Sequence, residues 1–142
     1  MRYILLLNIV LAFSTFASSD FNETMAAAKQ GHAYAQYDLG IMYRRGEGIP
    51  ENDAEAVKWY RKAADQGDAQ AQFNLGFMYV TGKGVSENNT RAYMWWSIAK
   101  TQGYTDASHN LDLLKPRMTK QQIAEAQALA AKCYESNYQD CD

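Results

Sequence analysis

Residues 31–66, "GHAYAQYDLGIMYRRGEGIPENDAEAVKWYRKAADQ", and residues 67–102, "GDAQAQFNLGFMYVTGKGVSENNTRAYMWWSIAKTQ", are two copies of one pattern. Gly31 falls on Gly67, Ala35 on Ala71, Leu39 on Leu75 and Gly40 on Gly76, a spacing of 36 residues without a gap. The match continues through Tyr43 and Tyr79, Gly46 and Gly82, Gly48 and Gly84, Ala56 and Ala92, and Trp59 and Trp95. A third, partial copy starts at Gly103: "GYTDASHNLDLL" keeps Ala107, Asn110 and Leu111, then loses the G-x-G loop and runs into "KPRMT". A fixed period of this length is the mark of a repeat architecture.

The physics of one unit can be read directly. Ala35, Leu39 and Tyr43 recur four apart and share one helical stripe, as do Ala71, Leu75 and Tyr79. Gly40 and Gly76 fall mid-helix, where glycine costs about 1 kcal/mol relative to alanine, so a neighbouring helix is expected to approach closely there. "RGEGIPEN" and "TGKGVSEN" then end the helix, the glycines supplying the positive φ of its last turn. Asn52 or Asp53, and a residue among Asn88 to Thr90, offer caps for a second helix. That helix carries Ala56, Trp59, Tyr60 and Ala63 in the first copy, and Ala92, Trp95, Trp96 and Ala99 in the second. Trp95 is expected in the inter-helix core and Trp96, in the place of Tyr60, partly exposed.

Each unit is therefore two antiparallel helices joined by a glycine loop. A single unit cannot cover its own apolar face, so the units must stack and the ends must be capped. The expected fold is all-α: a short α-solenoid of stacked helix pairs. Its parts are a capping helix over 20–30, repeats over 31–66 and 67–102, and a truncated third repeat with a closing helix over 103–136. In "FNETMAAAKQ", Ala27 and Ala28 fall on Ala63 and Ala64, so this piece reads as a lone second helix. Thr119 and Gln122 form a T-x-x-Q capping box. The helix they open, over about 120 to 136, repeats Ile123, Ala126, Leu129, Ala130 and Cys133 at helical spacing.

Composition agrees. Two prolines in 142 residues and abundant alanine favour helix throughout, and 47% hydrophobic residues suffice for a core. A net charge of −2 with scattered lysine and arginine gives no basic patch, so no nucleic-acid partner is expected.

The first residues, "MRYILLLNIVLAFSTFASSD", pair Arg2 with an apolar run from Ile4 to Phe13 and small residues at Ala17, Ser18 and Ser19. Residues 1–19 read as a cleavable signal, cut after Ala17 or Ser19, with a retained anchor or a buried first helix as the alternatives. The mature chain is then expected in the periplasm or secreted, without stable insertion in a membrane.

Cys133 and Cys141 fit such a compartment. On one continuous helix their Cα atoms would lie about 12 Å apart, beyond disulfide reach. A bridge requires the chain to leave the helix near Ser136–Asn137 and fold back, drawing in the tail 137–142; two unpaired thiols are the alternative.

With the repeat in view, "AQYDLGIMYRRGEGIPENDAEAVKWYRKAADQG" and "AQFNLGFMYVTGKGVSENNTRAYMWWSIAKTQG" resemble the Sel-one-like repeat family, a branch of the tetratricopeptide-like α-solenoids. The resemblance covers residues 31–103 closely and 103–114 weakly. "MTKQQIAEAQALAAKC" is also similar to the closing helix of exported bacterial members. It implies a non-catalytic adaptor that holds a protein or peptide along a concave groove lined by the first helices. Stepping off the core stripe, the groove face is Tyr34, Asp38, Ile41 and Arg45 in repeat one and Gln70, Asn74, Phe77 and Thr81 in repeat two. Repeat three adds Asp106, Asn110 and Leu113. The alternative is that Ile41 and Phe77 belong to the core. One cysteine-rich branch of the family binds or slowly hydrolyses β-lactams, so a second expectation is a cell-wall protein that recognises peptidoglycan fragments or acts weakly on such drugs. The chain departs from that branch in lacking a cysteine pair in each repeat.

No catalytic residue is expected. Ser97 and Lys100 have S-x-x-K spacing, but they lie late in their helix, without S-D-N or K-T-G elsewhere, and do not recur in repeat one. His32 and His109 occupy non-equivalent positions and suggest no base, and no cofactor or metal site is expected. "GEG" and "GKG" lack the phosphate-binding spacing.

Overall fold

The structure of the protein, a computed structural model, describes residues 20–142. The expected signal segment, 1–19, lies outside the described residues. Among the described residues the chain is helical throughout: α1 (20–29), α2 (Ala33–Arg45), α3 (Asp53–Ala64), α4 (Ala69–Thr81), α5 (Asn89–Thr101), α6 (Asp106–Leu114), a 3-10 turn (Lys115–Arg117) and α7 (Lys120–Glu135). Helix α2 packs along α3 and α4 along α5; α3 lies on α4, and α5 carries α6 and α7. This is the stacked helix-pair architecture of an α-solenoid.

The joints follow from local chemistry. Gly46 and Gly82 end α2 and α4 with φ of 69° and 68°, and their N–H groups donate to the carbonyls of Met42 and Met78. The loops then fold back, Asn52 N–H donating to the Tyr43 carbonyl at 2.8 Å and Asn88 N–H to that of Tyr79 at 2.9 Å. Asn52 and Asn88 are the caps, their side chains accepting from the amides of Glu55 and Arg91. The capping box at Thr119 and Gln122 is complete in both directions.

The largest core cluster joins Ala56, Tyr60 and Ala64 of α3 to Ala71, Leu75 and Met78 of α4 and Met94, Trp95 and Ile98 of α5. At the start, Ala28 with Phe21 and Met25 covers Leu39 and Trp59, so α1 does the work of the missing second helix. At the far end, Leu111, Leu114 and Ala126 close over Ala92, Tyr93 and Trp96. Trp96 corrects the expectation of partial exposure: it is 4% exposed. Its ring lies against Gly76, whose lack of a side chain leaves room for it, and its Nε1–H donates to the Phe73 carbonyl at 2.9 Å.

Two glutamines are buried and tie successive units together. Gln36 Nε2 donates to the Ala28 carbonyl at 3.2 Å, and Gln72 Nε2 to that of Ala64 at 3.1 Å. Each amide oxygen in turn accepts from a glutamine 30 residues on: Gln66 for Gln36, and Gln102 for Gln72. The same four groups thus recur 36 residues apart, satisfying polar atoms that would be costly to bury alone.

The Cys133–Cys141 disulfide is formed. Helix α7 stops at Glu135, and the chain turns through Asn137 (φ 54°) and Tyr138 (φ 65°), at the place where the bridge required it to leave the helix.

Candidate functional site

The face expected to bind lies on α2, α4 and α6. Tyr34 is 63% exposed at the start of α2, with Asp38 exposed one turn on. Arg45, at the end of the same helix, is exposed and pairs with Glu47 at 3.3 Å. On α4, Gln70 is exposed and Asn74 half-buried, its amide donating to the Gln70 carbonyl at 3.1 Å. Thr81 gives its hydroxyl hydrogen to the Phe77 carbonyl at 2.8 Å. On α6, Asp106 is exposed and Asn110 half-buried.

Ile41, Phe77 and Leu113 are one position repeated, and their exposure rises along the stack. Ile41 is half-buried against the largest core cluster, Phe77 is 37% exposed and Leu113 is 61% exposed. The position is thus partly core in repeat one and open in repeat three.

Five of the expected residues line two separate clefts, and Ile41, Arg45, Gln70, Asn74, Thr81 and Asp106 line neither. Phe77 and Asn110 meet in a cleft of about 200 Å³ with Val80, Trp96, Leu113, Leu114 and Arg117. Tyr34 and Asp38 line another of about 180 Å³ with Glu23, Thr24 and Ala27 of α1. Phe73, also on α4, packs its ring 4.9 Å from that of Tyr104. Arg117 escaped sequence reasoning, although its place follows from Arg45 and Thr81 by the same 36-residue step. Val80 and Trp96 carried no such signal, because their place in the cleft depends on how α6 seats against α4 and α5.

Burial raises the Asp38 carboxyl above its ordinary pKa, and the negative charges of Asp68 and Asp20 push it the same way. This end of the face is therefore acidic, while Arg45 ends α2 and Arg117 ends the 3-10 turn after α6.

Ser97 is half-buried on α5 and gives its hydroxyl hydrogen to the Tyr93 carbonyl at 2.7 Å, one helical turn back. It lines a cleft of about 270 Å³ between α5 and α7, but Lys100 is not among the lining side chains and is exposed. His32 and His109 are both exposed, the first as the residue capping the start of α2 and the second on α6. Among the described residues no group of three or more His, Cys, Asp or Glu side chains could hold a metal, and no helix is long and apolar enough to cross a membrane.

The model of the Sel1 repeat matches residues 33–68 and 69–104, the same two units in a frame starting two residues later than Gly31. Among solved structures, c5321, a protective antigen present in uropathogenic Escherichia coli strains and displaying an SLR fold, is similar at 28% identity and a TM-score of 0.79. A Sel1 repeat protein from Oxalobacter formigenes is similar at 33% identity and a TM-score of 0.67. Each similarity covers 83% of this chain, but only 26% of the first protein and 56% of the second, so the chain spans a part of either. No curated protein matches. Two gapless family repeats over half of the chain, on a fold shared with solved members, mean that this chain belongs to the Sel1 repeat family.

Proposed function

We propose that this chain is a non-catalytic scaffold module, exported from the bacterial cytoplasm, that binds a protein or peptide along the face of α2, α4 and α6. One observation carries the reading. Of the four exposed large hydrophobics among the described residues, Tyr34, Phe77, Leu113 and Tyr134, three lie on that face. Exposed apolar side chains gathered on one face and rimmed by amides and charge are the usual make-up of a docking surface. The disulfide is compatible with export to an oxidising compartment.

The test is to pan a displayed library of random peptides against the full chain and against Phe77→Ser/Leu113→Ser. Both positions are exposed enough that the double variant keeps its fold, which circular dichroism verifies. Peptides recovered on the wild type are expected to bind the variant at least about tenfold more weakly, the loss of a small apolar anchor. Equal binding by the two proteins removes this face from consideration. Fractionation of expressing cells checks export: the protein should leave the cytoplasm shortened by 17 or 19 residues, the two cuts the sequence offers.

A further inference from the structure

The segment after α7 does not trail into solvent. Cys141 is 3% exposed and joins the largest core cluster alongside Trp95 and Cys133, with Tyr138 packed against it. The Tyr138 ring covers the bare backbone of Gly67, where a Cβ would lie 2.8 Å from its edge. The Gln139 amide reaches the Asp65 carbonyl at 3.4 Å. Arg91 donates to the Cys141 carbonyl at 2.6 Å. The Asp142 carboxylate then lies 2.9 Å from Arg61 Nη2 and 3.4 Å from Arg91 Nη1.

Two guanidinium groups from successive second helices, α3 and α5, thus converge on one carboxylate. Arg61 is itself fixed, its guanidinium 5.3 Å above the Trp95 ring and its Nε donating to Asp65 at 2.9 Å. These are the contacts by which a protein holds an acidic peptide: an aromatic side chain over a glycine, a main-chain carbonyl on an arginine, and a carboxylate between two arginines. Here the ligand belongs to the same chain.

It is tethered at both ends, by α7 and by the disulfide. Asn137 and Tyr138 both sit in the left-handed region, which side-chain-bearing residues disfavour. Local backbone preference therefore works against the docked form, and the Cys133–Cys141 bond works for it.

We propose that the seam between α3 and α5, lined by Arg61, Arg91, Trp95 and Gly67, is an acceptor for acidic peptide segments. Residues 138–142 fill it in cis, and the Cys133–Cys141 disulfide keeps it filled. A dithiol reductant opens it. The Sγ–Sγ bond breaks, two electrons and two protons pass from the dithiol to the two cysteines, and the dithiol leaves as a disulfide. The seam then exchanges its own segment for an acidic peptide of a partner. It is separate from the face of the first helices.

The probe is a blocked, fluorescein-labelled heptapeptide, Ser-Asn-Tyr-Gln-Asp-Ser-Asp, read by fluorescence anisotropy against the full chain. The oxidised wild type is expected not to bind it. Reduced wild type binds weakly, because the tethered segment competes at an effective concentration in the millimolar range. Cys133→Ala/Cys141→Ala/Asp142→Lys, whose own segment Arg61 and Arg91 repel, should bind at least about tenfold more tightly than the reduced wild type. Adding Arg91→Glu to that variant should abolish binding. A triple variant with wild-type circular dichroism that fails to bind overturns the proposal, as does equal binding by the oxidised protein. Should the triple variant lose its helical signal, the reduced wild type decides alone: an anisotropy rise on reduction supports the acceptor, and an unchanged signal overturns it.

Discussion

The ring of Tyr60 occupies the volume that a side chain at Gly40 would need: a Cβ there would lie 2.5 Å from Cε1 and 2.6 Å from Cδ1. One period later Trp96 stands in the same relation to Gly76, at 2.5 Å from Nε1 and 2.6 Å from Cδ1. Each repeat thus gives up a side chain on its first helix to seat an aromatic ring from its second. The rings are buried, Tyr60 fully and Trp96 at 4% exposure. Burial also raises the Tyr60 hydroxyl to a pKa of about 12, against the lowering effect of its hydrogen bond from Arg44.

Gly40→Ala is expected to destabilise the protein. Helix propensity alone would favour alanine by about 1 kcal/mol. Overpacking against a buried ring costs about 1–3 kcal/mol and should win, because Tyr60 is fully buried and has no open space to move into. Urea denaturation measures the difference. Pairing Gly40→Ala with Tyr60→Leu should cost less than the two changes summed; an additive result, or a more stable Gly40→Ala protein, means the ring does not press on this position.

Gln72→Leu is expected to cost about 0.5–1.5 kcal/mol for each hydrogen bond it removes. Gln72 is fully buried, and its loss removes one of the two donors to the Ala64 carbonyl, leaving the Gly67 N–H, and the acceptor for the Gln102 amide at a joint between units. Gln121→Leu, at an exposed position, serves as the comparison and should stay within about 0.5 kcal/mol of wild type. Equal effects from the two changes remove the glutamine joint as a source of stability.

Asp38→Asn should raise the melting temperature at pH 7. The folded-state pKa of Asp38 is raised by burial and by Asp68 and Asp20, so the folded chain holds this proton more tightly than the unfolded one. Its ionisation therefore opposes folding. The penalty is absent below the ordinary value of 3.8 and is complete once the pH has passed the folded-state value. The advantage of Asp38→Asn should shrink as the pH is lowered and disappear below that ordinary value; an advantage constant with pH would assign the effect to packing.

Removing the bridge with Cys133→Ala/Cys141→Ala should lower stability by about 2–3 kcal/mol, the range for a short closed loop. The oxidised wild type should take up no thiol label unless it is first reduced. Labelling of both cysteines in the exported, unreduced protein would contradict the bridge.

Much of this architecture could be read one position at a time. The caps at Asn52, Asn88 and Thr119, the helix-ending Gly46 and Gly82, and the fold-back after Ser136 all depend on side chains within a few residues of the backbone they satisfy. The proposed binding face was legible only in register. Tyr34, Asp38 and Phe77 could be placed on the first helices, but two clefts instead of one, and the graded exposure of Ile41, Phe77 and Leu113, depend on where the stack ends. The burial of Trp96 is not legible locally, because its partner, Gly76, lies 20 residues away on another helix.

By itself, then, the sequence determined the repeat, its period, its helix pairs and its family, because a 36-residue recurrence of small, apolar and turn-forming residues admits one way to bury itself: stacking. Tertiary structure alone decided which polar groups join the units, Gln36 with the Ala28 carbonyl and Gln72 with that of Ala64, and where residues 138–142 come to rest. Those outcomes are pairings between distant atoms, and periodicity specifies which face a residue occupies without naming the partner it will meet there.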